Sequence, residues 1–176
     1  MRMRIEPNVV LQRVMRVFVT VGSTRFDRLV AAVLGEEVQQ FLAGLGYTDL
    51  TVQYGNSDVP AHIPALLSTQ TYTYKPSLLG DIAEADLVIS HAGAGTCLEV
   101  LQSNTPLVVV VNTHLMDNHQ AELAERLAAD AHLTRGTVDT LVSTLQSHHN
   151  HQHTLVPYPR PDPTIFSKLV DDLMAV

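Results

Sequence analysis

The stretch from Asp86 to Glu99, Asp-Leu-Val-Ile-Ser-His-Ala-Gly-Ala-Gly-Thr-Cys-Leu-Glu, constrains the fold more than any other part of the chain. Leu87 to Ile89 is a short branched-aliphatic run of the kind a buried parallel strand requires, and Ser90 to Gly95 supply small residues before a helical pattern opens at Cys97. The order is strand, tight turn, helix. Thr96 and Glu99 stand in capping-box spacing, so each side chain is expected to satisfy an orphan N–H of the first helical turn. Gly93 and Gly95 permit close approach of a ligand, and the helix start favours an anion such as a diphosphate. Small residues at such a turn also serve purely structural ends. His91 favours a site, because it stands where ligands bind in open α/β sheets and can donate a hydrogen bond to an oxyanion.

The rest of the chain repeats the pattern. Val17 to Val21 reads as a first strand, and Gly22-Ser23-Thr24 as a second turn of small residues and hydroxyls. Phe26, Leu29, Val30, Val33 and Leu34 recur at helical spacing, and Val38, Phe41 and Leu42 continue the stripe past Gly35. Leu50 to Tyr54 and Thr69 to Lys75 read as strands, and Ser77 to Ala85 as a helix. Leu107 to Val111 is a further buried strand. Asp117 opens a helix to about Ala129, with Asp117 and Gln120 again in capping-box relation. Ala131 to Leu133 is expected as a short last strand and Val138 to Leu145 as a helix. Strands alternating with helices predict a doubly wound parallel sheet covered on both faces.

Four segments follow from this reading: an extension at 1–14, the doubly wound domain at 15–147 that carries the glycine turns, a linker at 148–163 and an amphipathic helix at 164–176. Residues 1–14 lack the continuous apolar core of a secretory signal, and are expected to be dispensable. The tract His148-His149-Asn150-His151-Gln152-His153 is read as a solvated polar loop in preference to a metal site, and Pro157, Pro159, Pro161 and Pro163 extend the chain beyond it. Phe166, Leu169, Val170 and Leu173 define the terminal helix.

Composition narrows the function. Eleven basic residues against eighteen acidic ones, with no basic run, point away from nucleic-acid binding. The longest purely aliphatic run falls far short of the roughly 18 residues of a membrane span. The one cysteine, Cys97, allows no internal disulfide and is read as a small helix residue. No Gly-x-Gly-x-x-Gly, Gly-Lys-Ser/Thr loop or Gly-x-Ser-x-Gly elbow is present. Turns at 22–24, 91–96 and 112–120 should meet at one sheet edge, where they offer hydroxyls, backbone N–H groups, His91, Glu99, Asp117, Asn118 and Gln120. That inventory suits a nucleotide sugar: a glycine loop for the diphosphate, a carboxylate for ribose, and Asp, Asn and Gln for sugar hydroxyls.

Four blocks in order, Phe18 to Thr24, Ala85 to Thr96, Pro106 to Asn112 and Leu115 to Gln120, resemble the catalytic subunit of the eukaryotic two-subunit UDP-N-acetylglucosamine transferase of the dolichol pathway. More distantly they are similar to the C-terminal half of the bacterial peptidoglycan glycosyltransferase that uses the same donor. The resemblance implies a Rossmann-like donor half of a GT-B enzyme. It further implies transfer of N-acetylglucosamine from UDP-GlcNAc to GlcNAc-diphosphodolichol, with inversion and without metal or cofactor. The implied partner is a membrane-anchored acceptor subunit that recruits a cytoplasmic chain to the cytosolic face of the endoplasmic reticulum. By position, Gly22, Ser23, Thr24, His91, Ala92, Gly93, Gly95 and Thr96 should meet the diphosphate, with His91 catalytic. Glu99 should meet the ribose, and Asp117, Asn118 and Gln120 the sugar. A non-catalytic nucleotide-sugar-binding or interaction subunit is the alternative, and a self-sufficient transferase with another acceptor is a third reading. The general base stays open.

Overall fold

A computed structural model describes residues 13–112 and 118–159, with the backbone alone at 118–121. Six strands are joined by helices: β1 (Arg16–Thr20), α1 (Asp27–Leu34), α2 (Glu36–Gly44), β2 (Asp49–Gln53), β3 (Ser68–Tyr72), α3 (Leu79–Glu84), β4 (Leu87–His91), α4 (Ala94–Gln102), β5 (Leu107–Val111), α5 (Asn118–Ala129), β6 (Thr134–Thr137) and α6 (Leu141–His151). All pairings are parallel, in the order β3-β2-β1-β4-β5-β6. The winding direction reverses between β1 and β4, which opens a crevice at the carboxyl ends of those two strands.

The aliphatic runs are explained by burial on two faces. Alternate residues of β1, β4 and β5 enter opposite cores. Val17, Val19, Leu50, Val52, Ile89, Val108 and Val110 pack with Leu29, Val33, Leu42, Leu141 and Leu145 from α1, α2 and α6. Phe18, Val88, Leu107, Val109 and Val111 pack on the other face with Ile82, Val100, Leu101 and Leu127 from α3, α4 and α5. Leu50 is wholly buried in the first core. Leu50→Ala is therefore expected to lower the unfolding free energy by about 2–5 kcal/mol in urea titration, because the lost side chain leaves a cavity.

Three elements depart from the sequence reading. The helix expected across Gly35 is two helices, because Gly35 is extended (ψ 162°) and a Cβ there would stand 3.1 Å from the Ala31 carbonyl oxygen. Buried Gln39 supports the break by donating to the Leu34 carbonyl at 3.1 Å. The last strand begins at Thr134 and not Ala131, since Ala131 adopts φ 58° in the turn that ends α5, with the His132 N–H on the Leu127 carbonyl. The histidine tract is mostly helix: α6 runs through His151 because Leu141, Thr144, Leu145 and His148 share its buried face. Residues 1–12, the Asp117 cap and the 164–176 helix lie outside the described residues.

Candidate functional site

The β1–α1 turn is shaped by bonds that leave little freedom. Gly22 takes φ +61°, a conformation that favours glycine. Its N–H donates to Gln53 Oε1 at 2.9 Å and to Thr20 Oγ1 at 3.1 Å. Thr24 closes the turn by donating both its N–H (3.2 Å) and its hydroxyl (2.7 Å) to the Val21 carbonyl. From the loop after β2, Asn56 Nδ2 donates to the Ser23 carbonyl and the Asn56 N–H to the Thr24 carbonyl. Ser23 and Thr24 stay exposed at the mouth of the crevice.

The adjoining β4–α4 turn places His91 as the last residue of β4. Its imidazole lies between two glycines: a Cβ on Gly22 would come within 3.0 Å of His91 Cε1, and one on Gly93 would clash with Nε2 and stand 2.7 Å from Cε1. Both glycines thus make room for the ring. Nδ1 is buried without a hydrogen-bond partner. Burial holds the imidazole pKa below its ordinary value, against a smaller opposing effect of the Thr20 backbone. The ring is therefore neutral near pH 7, with one nitrogen available as a donor.

α4 starts at Ala94, two residues ahead of the proposed capping threonine. Gly93 is the N-cap because its carbonyl accepts the Cys97 N–H at 3.0 Å. Thr96 and Glu99 lie inside the helix, so the expected capping box does not form. Gly93 has no side chain with which to cap, and the N–H groups of Ala94, Gly95 and Thr96 precede any intrahelical acceptor. A Cβ on Gly95 would meet nothing within 4 Å, so that turn faces open space. The combination is a helix N-terminus suited to an anion. Ala92 points into the second core and offers the site its backbone only. Burial pushes the Cys97 thiol up to about 12, in keeping with a packing residue.

Gly22, Ser23 and Glu99 line one cleft of about 290 Å³. His91 borders it through Gly22. Its far wall, which the sequence reading missed, is Tyr74 to Leu79 between β3 and α3, and its floor includes Gln53. Asp81 braces that wall, accepting the Tyr72 hydroxyl at 2.7 Å and Lys75 Nζ at 2.8 and 2.9 Å. No local signal in the sequence marks that wall, and Gln53 ends a strand that also carries the polar Asp49 and Thr51. Asn118 and Gln120 fall in the first turn of α5, after the strand next to β4, while Asp117 lies outside the described residues. Among the described residues no cluster of three or more histidine, cysteine or acidic side chains could hold a metal ion.

Residues 16–171 match the glycosyltransferase family 28 C-terminal domain. The chain is 51% identical over 123 residues to the mouse UDP-N-acetylglucosamine transferase subunit ALG13, covering 67% of this chain and 10% of the mouse protein. It thus spans about a tenth of the length of the mouse and human relatives. Against the Yarrowia lipolytica protein of the same name it is 34% identical, covering 92% of this chain and 85% of that one. The solution structure of ALG13 superposes with TM-score 0.64 at 26% identity, over 89% of this chain and 94% of the other. Acinetobacter baumannii MurG follows at 0.59 and 25%, over 81% and 43%. The sheet is thus the Rossmann-like C-terminal half of a GT-B glycosyltransferase. With a domain match over most of its length and a relative aligned almost end to end, the chain belongs to the glycosyltransferase family 28 C-terminal domain family and, within it, to the UDP-N-acetylglucosamine transferase subunit ALG13 proteins.

Proposed function

We propose that this chain is the donor-binding, catalytic subunit that transfers N-acetylglucosamine from UDP-GlcNAc to GlcNAc-diphosphodolichol. The acceptor half is supplied by a membrane-anchored partner that holds the chain at the cytosolic face of the endoplasmic reticulum. One observation carries the reading. The glycine turn at Gly22, the His91 imidazole and the uncapped start of α4 meet at the β1/β4 switch point, beside a cleft that includes Glu99.

In this reading the acceptor 4-hydroxyl attacks the anomeric carbon in line, a new C–O bond forms, and the bond to the diphosphate breaks with its electron pair on UDP. Charge growing on the leaving diphosphate is met by the N–H groups of residues 94–96, the α4 dipole and a hydrogen bond from neutral His91. Glu99, exposed one turn into α4, faces the ribose hydroxyls. The acceptor proton leaves to a base that the partner supplies or the acceptor site positions.

The test measures transfer of labelled N-acetylglucosamine from UDP-GlcNAc to a short-chain GlcNAc-diphospholipid, first with the chain alone and then with membranes carrying the partner. Activity only in the second arm is the expected result. Transfer by the chain alone would overturn the dependence on a partner. No transfer in either arm, with UDP-GlcNAc still raising the melting temperature, would favour a nucleotide-sugar-binding subunit without catalysis.

A further inference from the structure

We propose that Gln53 sets the spacing between the two walls of the cleft and so selects a ligand that spans both, a positioning role that rests on the nucleotide-sugar reading above. A carboxamide offers two N–H donors and an oxygen with two lone pairs. Gln53, 1% exposed, uses all four. Its oxygen accepts the Thr20 hydroxyl at 2.6 Å and the Gly22 N–H at 2.9 Å. Its nitrogen donates to the Gly22 carbonyl at 2.7 Å and to the Thr73 carbonyl at 2.6 Å.

The destinations of these bonds carry the argument. The parallel ladder already joins β2 to β1 and to β3 as far as Thr20 and Tyr72. Gly22 and Thr73 lie just past those ends, in the two loops that form opposite walls. Backbone bonds reach a little past the ladder, with the Gly55 N–H on the Thr73 carbonyl and the Asn56 N–H on the Thr24 carbonyl, and the amide adds bonds to both loops from one side chain: the turn where a diphosphate would sit and the segment running into Tyr74 to Leu79. Asp81 fastens the second wall again from α3, through Tyr72 and Lys75. With both ends fixed, a ligand that touches one wall does not depend on the spacing, and a ligand that touches both does.

The test uses the full chain with three probes, UDP, uridine and inorganic pyrophosphate, titrated by NMR or calorimetry against wild type, Gln53→Glu and Gln53→Met. Leu145→Ala, in the core away from the cleft, controls for lost stability. Loss of the spacing is expected to weaken UDP by about 10-fold or more while uridine and pyrophosphate, which engage one wall each, change less than about 2-fold. The control should leave all three unchanged. An unchanged UDP affinity, or an equal loss for all three probes, would overturn the role of Gln53. Failure of the wild type to bind UDP would overturn the nucleotide-sugar reading itself. If the Gln53 variants do not fold, Asp81→Asn, which loosens the same wall from its other anchor, is scored by the same criteria.

Discussion

His91→Ala is expected to reduce transfer in the partner-supplemented assay by roughly 10²- to 10³-fold, the loss typical of removing one donor to a developing oxyanion. The melting temperature should change little, because Nδ1 has no partner to lose and the ring is only partly buried. Gly93→Ala should approach the same loss by a different route. The added methyl would clash with His91 Nε2, and the ring, already within 3.0 Å of where a Cβ on Gly22 would stand, would have to turn away. The comparison is informative because Gly95→Ala, one helical position beyond Ala94, meets nothing within 4 Å and should not disturb the imidazole. If Gly93→Ala retained full activity while His91→Ala did not, the ring would act from a position other than the one between the two glycines. If both variants were fully active, His91 would have no part in the chemistry.

The second large effect is on stability against pH. His148 lies on the buried face of α6, with Nδ1 2.8 Å from the Thr134 hydroxyl and Nε2 enclosed without a partner. Burial first, and His149 second, push its pKa down to about 4 from 6.5. Between those values the unfolded chain binds a proton that the folded chain refuses, so folding stability rises with pH. The contribution is complete above pH 6.5 and is lost progressively as pH falls to 4. Over that window the loss amounts to roughly 3 kcal/mol, at about 1.4 kcal/mol for each unit of difference. Urea unfolding of wild type and His148→Leu at pH 7 and pH 4.5 measures it. The variant should show a much smaller drop between the two conditions, and an equal drop in both proteins would assign acid sensitivity to other groups.

The sheet was largely legible because each of its central strands is buried on both sides. A run such as Leu107 to Val111 has no polar residue at any position, and only a strand between two layers can use all five. The glycine turns were legible for the same local reason. Errors arose where a backbone-level event outweighed side-chain pattern. Gly93 captures the N-cap position of α4 through its own carbonyl, which displaces the Thr96 and Glu99 pairing that spacing alone suggested. Gly35 interrupts an apolar stripe that continues unbroken in sequence, because the carbonyls of Ala31 and Ala32 crowd the position a Cβ would take. His148 looked like part of a polar tract, yet helical spacing from Leu141 and Leu145 carries it inward. Gln53 and the wall at Tyr74 to Leu79 were not legible at all, since what they do depends on loops that meet only after the sheet has formed.

The strand order carries a consequence for synthesis. β1 leaves the ribosome first, yet one of its two edges is completed only by β4, with Val17 beside Leu87, 70 positions later in the chain (87 − 17). At the usual 5–20 residues per second that edge waits roughly 4–14 s for its neighbour. During the wait the alternating residues of β1, Phe18 on one side and Val17 and Val19 on the other, also lack much of the cover they have in the finished protein. The stretch Val17-Phe18-Val19-Thr20-Val21 is short, uncharged, β-branched but for Phe18 and free of proline, the composition of a segment prone to pair with a stranger. The placement that puts the ligand crevice at the centre of the sheet therefore makes the nascent chain most vulnerable to aggregation at the same strand.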